Sequence, residues 1–141
     1  MDGANNSQDY IVLLTKSAKK LKSDSRIFFD FGKNDNDFAV RIAENEEKGT
    51  YSSEWISFSQ IEQFLAQQGI NSFQTNALGA LFQSKDNNNA GFFAAILLDS
   101  YVGLIAKDNT EFQAIDNYTD ELASLKRRIK TEYNQKSSIE E

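Results

Sequence analysis

Cysteine and histidine are both absent from this 141-residue chain. Without cysteine it can form no disulfide and offer no thiolate, which is the pattern of an intracellular protein of the cytoplasm or nucleus. Without histidine it lacks the commonest general base and metal ligand, which excludes Ser-His and Cys-His nucleophile pairs and zinc sites of the usual kind. The acidic residues show no spacing that would bring two carboxylates together. We therefore expect no enzymatic activity, no metal and no cofactor.

Long apolar runs are also lacking. No stretch approaches the roughly 20 apolar residues that a membrane-spanning helix needs. The first nine residues, MDGANNSQD, are polar and acidic, so they predict a disordered N-terminus rather than a signal peptide. The length suits one compact domain, or two small repeats that share a core. We expect no membrane partner.

The net charge is −6, which argues against binding nucleic acid by bulk electrostatic attraction. The basic residues are nevertheless clustered. Five lie between residues 16 and 26, where Asp24 is the one acid, and a second group occupies residues 126–130. Local basic surface is therefore compatible with the acidic total.

The first half alternates apolar and polar residues. RIFFDF (26–31) and FAVRIAE (38–44) predict two strands joined by the polar turn KNDND, and TYSSEWIS (50–57) predicts a third. Residues 10–22 form a further strand or the start of a helix, because a short apolar run does not decide between them.

The periodicity then changes to that of a helix. Ser57 with Gln60, or Ser59 with Glu62, fits a capping box, and Gly69 is placed to end the helix.

The second half can be interpreted in the same way. Strand candidates cover residues 76–85, 90–98, 101–107 and 111–115, and a helix is predicted over residues 117–133. The turn KNDNDF (33–38) and the segment KDNNNAGF (85–92) hold corresponding places in the two halves. The shared order of strands followed by a helix predicts a degenerate internal repeat.

Residues 26–68 resemble the PUR family of purine-rich-element binding proteins. The likeness lies in RIFFDFGKN (26–34), RIAE (41–44), Gly49 to Ser52 and ISFSQIEQFL (56–65). Asp37 and Phe38 stand where that family usually has a glycine, a basic residue and a phenylalanine. The second half matches the family only in layout.

The resemblance implies an α+β fold of two interlocked β-β-β-β-α repeats, a PUR or Whirly-like domain. The repeats would span residues 10–70 and 71–134, followed by a disordered tail at 135–141. It also implies binding of single-stranded DNA or RNA on a sheet face, with bases stacked on aromatic side chains and with Lys, Arg and Asn contacts. The candidate contact residues are Lys33, Asn34, Phe38, Arg41, Tyr51, Ser52, Lys85, Asn87 and Phe92.

Two alternatives remain open. Residues 56–115 also fit a winged helix that binds double-stranded DNA, with AKDNTEFQAI (106–115) as the wing, although FQTNALGALFQS (73–84) has no Lys or Arg to read a groove. A small acidic chaperone or protein-interaction module fits the size and charge. In any of these, the terminal helix or an exposed sheet edge offers a surface for a homodimer.

Overall fold

A computed structural model describes residues 10–140 and has an α+β fold. A four-stranded antiparallel sheet contains, in spatial order, β1 (Ile11–Lys19), β2 (Arg26–Lys33), β3 (Phe38–Asn45) and β4 (Ile56–Ser57). A separate hairpin pairs β5 (Ile105–Asp108) with β6 (Glu111–Ala114). No helix within residues 10–140 is long and apolar enough to cross a membrane. The predicted disordered segment 1–9 lies outside the described residues. The helices are α1 Phe58–Gln68, a 3-10 helix Thr75–Leu81, α2 Asn88–Leu98 and α3 Tyr118–Glu140.

The four-stranded sheet buries one of its two faces. Successive residues of a strand point to opposite faces, so Ile27, Phe29 and Phe31 of β2 share one side and are almost wholly buried. The Phe31 ring meets Phe58 of α1 and Tyr101 beyond α2. Helix α1 and the segment that follows α2 therefore pack on this inner face.

The first helix forms as its local sequence predicts. The Ser57 hydroxyl accepts a hydrogen bond from the Gln60 backbone N–H, and the Gln60 side chain accepts one from the Ser57 N–H. Gly69 follows the helix with φ of 61°, a value that glycine adopts without strain. Strands β1 to β4 followed by α1 thus give the β-β-β-β-α order expected for residues 10–70, although β4 is only two residues long.

Of the four strands predicted in the second half, residues 101–107 and 111–115 are confirmed in part by β5 and β6, and residues 76–85 and 90–98 are wrong. Residues 75–81 form the 3-10 helix, residues 88–98 form α2, and only the β5–β6 hairpin is extended. The misassigned segment AGFFAAILL (90–98) is a helix with five consecutive residues buried, Phe93 to Leu97. A helix buried on nearly all sides shows no apolar stripe, so its sequence looks like that of a buried strand. The proposed correspondence of residues 33–38 with 85–92 is therefore wrong, because one is a strand turn and the other begins a helix.

The order of elements from α1 to β6 is instead the one predicted for a winged helix. A helix, a short helix, a third helix and a hairpin follow one another. Phe73 forms an isolated antiparallel bridge with Phe112 of the hairpin, with both N–H···O distances at 2.8 Å.

The last helix is longer than predicted. Residues 135–140, expected to be a disordered tail, continue α3, and residue 141 lies outside the described part of the chain. The reason is that no glycine or proline follows Tyr133, and Gln, Lys and Glu are good helix formers.

A polar cluster joins α3 to β1. Lys16 Nζ lies 2.6 Å from Glu132 Oε2, and the Tyr101 hydroxyl donates to Glu132 Oε1 at 2.9 Å. Burial, and then Glu132, raises the pKa of Tyr101 to about 12. The hydrogen bond from Lys16 is the main cause that lowers the pKa of Glu132. Tyr101 is therefore held protonated as a donor to an ionised carboxylate, which fixes the last helix against the first strand.

Candidate nucleic-acid interface

The face of the four-stranded sheet opposite the inner face carries aromatic and charged side chains. Phe28, Asp30 and Gly32 alternate along β2 on this side, and Arg41 of β3 is paired with Asp30 across the strands. Because strand residues rise by about 3.3 Å each, Phe28 and Gly32 stand roughly 13 Å apart along β2. We call this surface the outer face.

Trp55 covers one end of the outer face. Gly32 makes this possible, since a Cβ added there would lie only 2.6 Å from Trp55 Cη2. The Tyr10 ring packs on Trp55 with centroids 5.1 Å apart, and Arg41 Cζ lies 4.5 Å from the centroid of the Trp55 ring. All three side chains are half-buried, so each keeps exposed surface. The result is a fixed platform of two aromatic rings and a guanidinium group.

Asp30 holds the arginine in place. Its carboxylate is 6% exposed and accepts hydrogen bonds from Arg41 Nε at 2.9 Å and from the Thr15 hydroxyl at 2.6 Å. A buried carboxylate needs such partners, because an unpaired charge is costly to bury. The Arg41 Nη groups form no hydrogen bond among the described residues, since the bond to Asp30 is made by Nε. They remain able to donate to a ligand.

The turn between β2 and β3 lies at the same end of the outer face, next to Tyr10. Burial, and then the Asp37 carboxylate, raises the pKa of Tyr10, and the nearby Asn34 side chain offsets only part of this rise. Asn34 Oδ1 also accepts the backbone N–H groups of Asn36 and Asp37, which closes the turn. The predicted site residues Asn34 and Arg41 are thus brought together around the platform.

Phe28 and two cations occupy the other end. Phe28 is half-buried and faces Ser17 on β1 and Glu44 on β3. Beyond it, Lys19 is paired with Arg26 across the strands, and Lys19 is exposed. Arg26 donates to both the hydroxyl and the carbonyl of Ser17, which orients its guanidinium group.

Phe38 was predicted to stack on a base, and this is wrong. Its ring is 4% exposed and packs against Phe58, with centroids 5.8 Å apart. The alternation of β3 points it to the inner face, as it does Val40 and Ile42. Lys33 likewise lies on that side, 5.8 Å from the Phe38 ring, and so is separated from Arg41 by the sheet.

Tyr51 and Ser52 serve the loop between β3 and β4. The Tyr51 hydroxyl donates to the carbonyl of Ala43 at 2.9 Å. The Ser52 N–H donates to Asn89 of α2, and its hydroxyl donates to Glu54. Their polar atoms already have hydrogen-bond partners within the fold, so the role of these two residues in the loop is explained without a nucleic-acid contact.

The three predicted residues of the second half lie apart from the outer face. Asn87 and Phe92 line a cleft of about 420 Å³ beside the β1–β2 loop. Lys85 is exposed and does not line that cleft. The predicted residues therefore do not form one site.

Tyr10, Phe28 and Trp55 were missed by the sequence reasoning. Trp55 precedes a strand of two residues and Tyr10 precedes β1, so neither belongs to a clear alternating pattern. Gly32 could have indicated that another group packs over this strand, because a glycine inside a strand often marks such a close approach.

Comparison with protein-family models, with curated proteins and with solved structures finds no match to this chain. The PUR resemblance, the nucleic-acid partner and the homodimer stay predictions. Within residues 10–140 no group of three or more Asp and Glu side chains is placed to hold a metal ion.

Proposed function

We propose that the protein binds single-stranded nucleic acid on the outer face of its four-stranded sheet. The observation that carries the proposal is the platform of Tyr10, Trp55 and Arg41, with Phe28 further along the same face. Bases present flat π-faces to aromatic and guanidinium groups, and each stacked base contributes about 1–3 kcal/mol. The order β1 to β4 followed by α1 supports assigning residues 10–68 to a single PUR-like unit, without a second copy in residues 71–134.

Electrostatic attraction contributes little to this binding. Among the described residues, the cations on the outer face and its margin are Lys19, Arg26 and Arg41; Arg41 is already paired with Asp30, and Lys19 lies 3.8 Å from Asp24. Each phosphate neutralised on a single strand contributes about −0.7 to the slope of log K against log salt. We expect a slope no steeper than about −2, since stacking supplies most of the affinity.

Trp55 is the only tryptophan of the chain and lies in the proposed site, so its fluorescence reports on binding directly. A single-stranded oligonucleotide of mixed sequence should quench Trp55, and the duplex of the same sequence should bind more weakly. A salt slope much steeper than −2, or equal affinity for the duplex, would contradict the proposal.

Phe28→Leu tests the stacking contribution. Leucine keeps an apolar side chain on the strand but removes the aromatic face, so binding should weaken by about 1–3 kcal/mol with little change in melting temperature. Tyr133→Leu is the matched control, because Tyr133 is an exposed aromatic on α3, which packs on the inner side of the sheet. Equal affinities for the two variants would show that Phe28 contacts no base.

Duplex binding by a winged helix is the second candidate, favoured by the order of elements from α1 to β6. The second helix of a helix-turn-helix enters the major groove, and here that helix falls within residues 73–84, which contain no Lys or Arg. The first turn of the following helix, α2, is also occupied, since Asn88 donates to the Thr50 carbonyl and Asn89 accepts from Ser52. The single-strand proposal is therefore the better supported of the two.

A further inference from the structure

A cleft separate from the outer face lies between the β1–β2 loop and the start of α2. Its volume is about 420 Å³, within the range of small-molecule sites. Lys20 and Lys22 line one side. Among the described residues that line the cleft, none is an aspartate or a glutamate, although the chain as a whole has a net charge of −6. The residues that line the cleft therefore carry only positive charge, although the Glu47 and Asp86 carboxylates lie at its edge.

The other walls combine neutral polar groups with an apolar patch. Asn76 and Asn87 supply amide groups, while Leu21 and Phe92 supply the apolar surface. Lys20 Nζ lies 5.2 Å from the centroid of the Phe92 ring, which places a cation beside an aromatic surface. A few placed polar groups on a mainly apolar lining are typical of ligand pockets.

From these features we propose that the cleft binds a small organic anion with a flat heteroaromatic ring, of the nucleoside monophosphate class. The anionic group would lie at Lys20 and Lys22, and the ring would lie against Phe92 and Leu21. The first-turn N–H of Asn88 is already bonded to the Asp86 carboxylate at 3.0 Å, so the two lysines are the groups available to the anion.

A carboxylate competes for one of these lysines. Lys20 Nζ lies 3.6 Å from Glu47 Oε1, and the Glu47 side chain is mostly exposed. An anionic ligand must share Lys20 with this carboxylate. Glu47→Gln should therefore tighten binding, whereas Lys22→Gln should weaken it about tenfold, as expected for the loss of one charged hydrogen bond.

Gly91 gives a way to close the cleft without damaging the fold. It lines the cleft within α2, and a Cβ added there would meet nothing within 4 Å. Gly91→Ala and Gly91→Leu should both raise the melting temperature, because glycine is a poor helix former. Only the leucine should fill the cleft and abolish binding.

The test uses calorimetric titration of the full chain with adenosine 5′-monophosphate, adenosine and inorganic phosphate. We expect the monophosphate to bind more tightly than either of the others, because only it engages both the lysines and the apolar wall. Lys130→Gln, which removes an exposed lysine on α3, should leave its affinity unchanged. Phe28→Leu should also leave it unchanged, which separates this site from the proposed nucleic-acid face.

The proposal is overturned if the monophosphate fails to bind at millimolar concentration. It is also overturned if the folded Gly91→Leu variant binds as tightly as the parent. Equal affinity for phosphate and the monophosphate would show that the ring does not contact Phe92. Equal losses of affinity in Lys22→Gln and Lys130→Gln would show that Lys22 does not hold the anion.

Discussion

Replacing Gly32 with alanine tests whether Trp55 is held against the outer face. The new methyl carbon would lie 2.6 Å from Trp55 Cη2, 2.8 Å from Cζ3 and 3.1 Å from the carbonyl oxygen of Ile11. Carbon atoms pack best at about 3.5–4.0 Å, so the indole must move by about 1 Å or swing away from the sheet. Either movement disturbs its contacts with Tyr10 and Arg41.

Two opposing effects set the change in stability. Overpacking costs about 1–3 kcal/mol, while exchanging a strand glycine for alanine recovers about 0.5–1 kcal/mol of chain entropy. We expect a net loss of about 1 kcal/mol in the free energy of unfolding. Gly91→Ala is the matched control, because its methyl group meets open space and should stabilise the helix by up to about 1 kcal/mol.

Urea unfolding and Trp55 fluorescence measure the two consequences on the same sample. In Gly32→Ala the emission maximum should shift to longer wavelength, quenching by iodide should increase, and affinity for the single strand should fall. An unchanged emission spectrum together with a gain in stability would refute the packing of Trp55 on Gly32.

Further predictions concern the core and two titrating groups. Phe38→Ala should lower the free energy of unfolding by about 3–5 kcal/mol, because it leaves a cavity at a buried site. Lys33→Ala should change that free energy by less than about 0.5 kcal/mol. Similar melting temperatures for the two variants would contradict the burial of Phe38. In an absorbance titration, one of the five tyrosines should ionise near pH 12 instead of 10.0, and this step should vanish in Tyr101→Phe. Because the folded pKa of Tyr101 is raised, its contribution to stability is complete below pH 10 and is lost as the pH rises towards 12; titration of every tyrosine near pH 10 would count against this. The pKa of Glu132 is lowered, so its contribution is present above pH 4.5 and lost as the pH falls below that value. Lys16→Gln should reduce this loss in acid unfolding curves, and an unaltered acid transition would show that the ion pair adds nothing.

The first half of the fold could be predicted because its signals are local. Alternation in residues 26–31 and 38–44 identified β2 and β3, and the capping box at Ser57 marked the start of α1. These signals depend on neighbours within four residues, so they are visible in the sequence itself. The second half could not be predicted in this way, since α2 is buried on nearly all sides and its sequence has no apolar stripe that would mark it as a helix.

The candidate site was predicted only in part for a related reason. Arg41 and Asn34 were identified because they lie in or next to recognisable strands. The face that a side chain occupies depends on register, and a shift of one residue reverses it. Phe38 was predicted to stack on a base, but its register places it on the inner face. Trp55 can be identified only from its packing over Gly32 in the structure.

The ion pair between Lys16 and Glu132 joins residues 116 positions apart in the chain. During synthesis, β1, β2 and β3 are complete long before α3 exists. The apolar side of the early sheet therefore stays partly exposed until this helix near the end of the chain is made. Folds with such distant contacts form slowly, and their uncovered apolar surface is prone to aggregation in the meantime. A chain cut before residue 118 would keep every strand but lose Leu122, Leu125 and Ile129 from the core. We therefore expect such a fragment to require chaperone assistance or to precipitate.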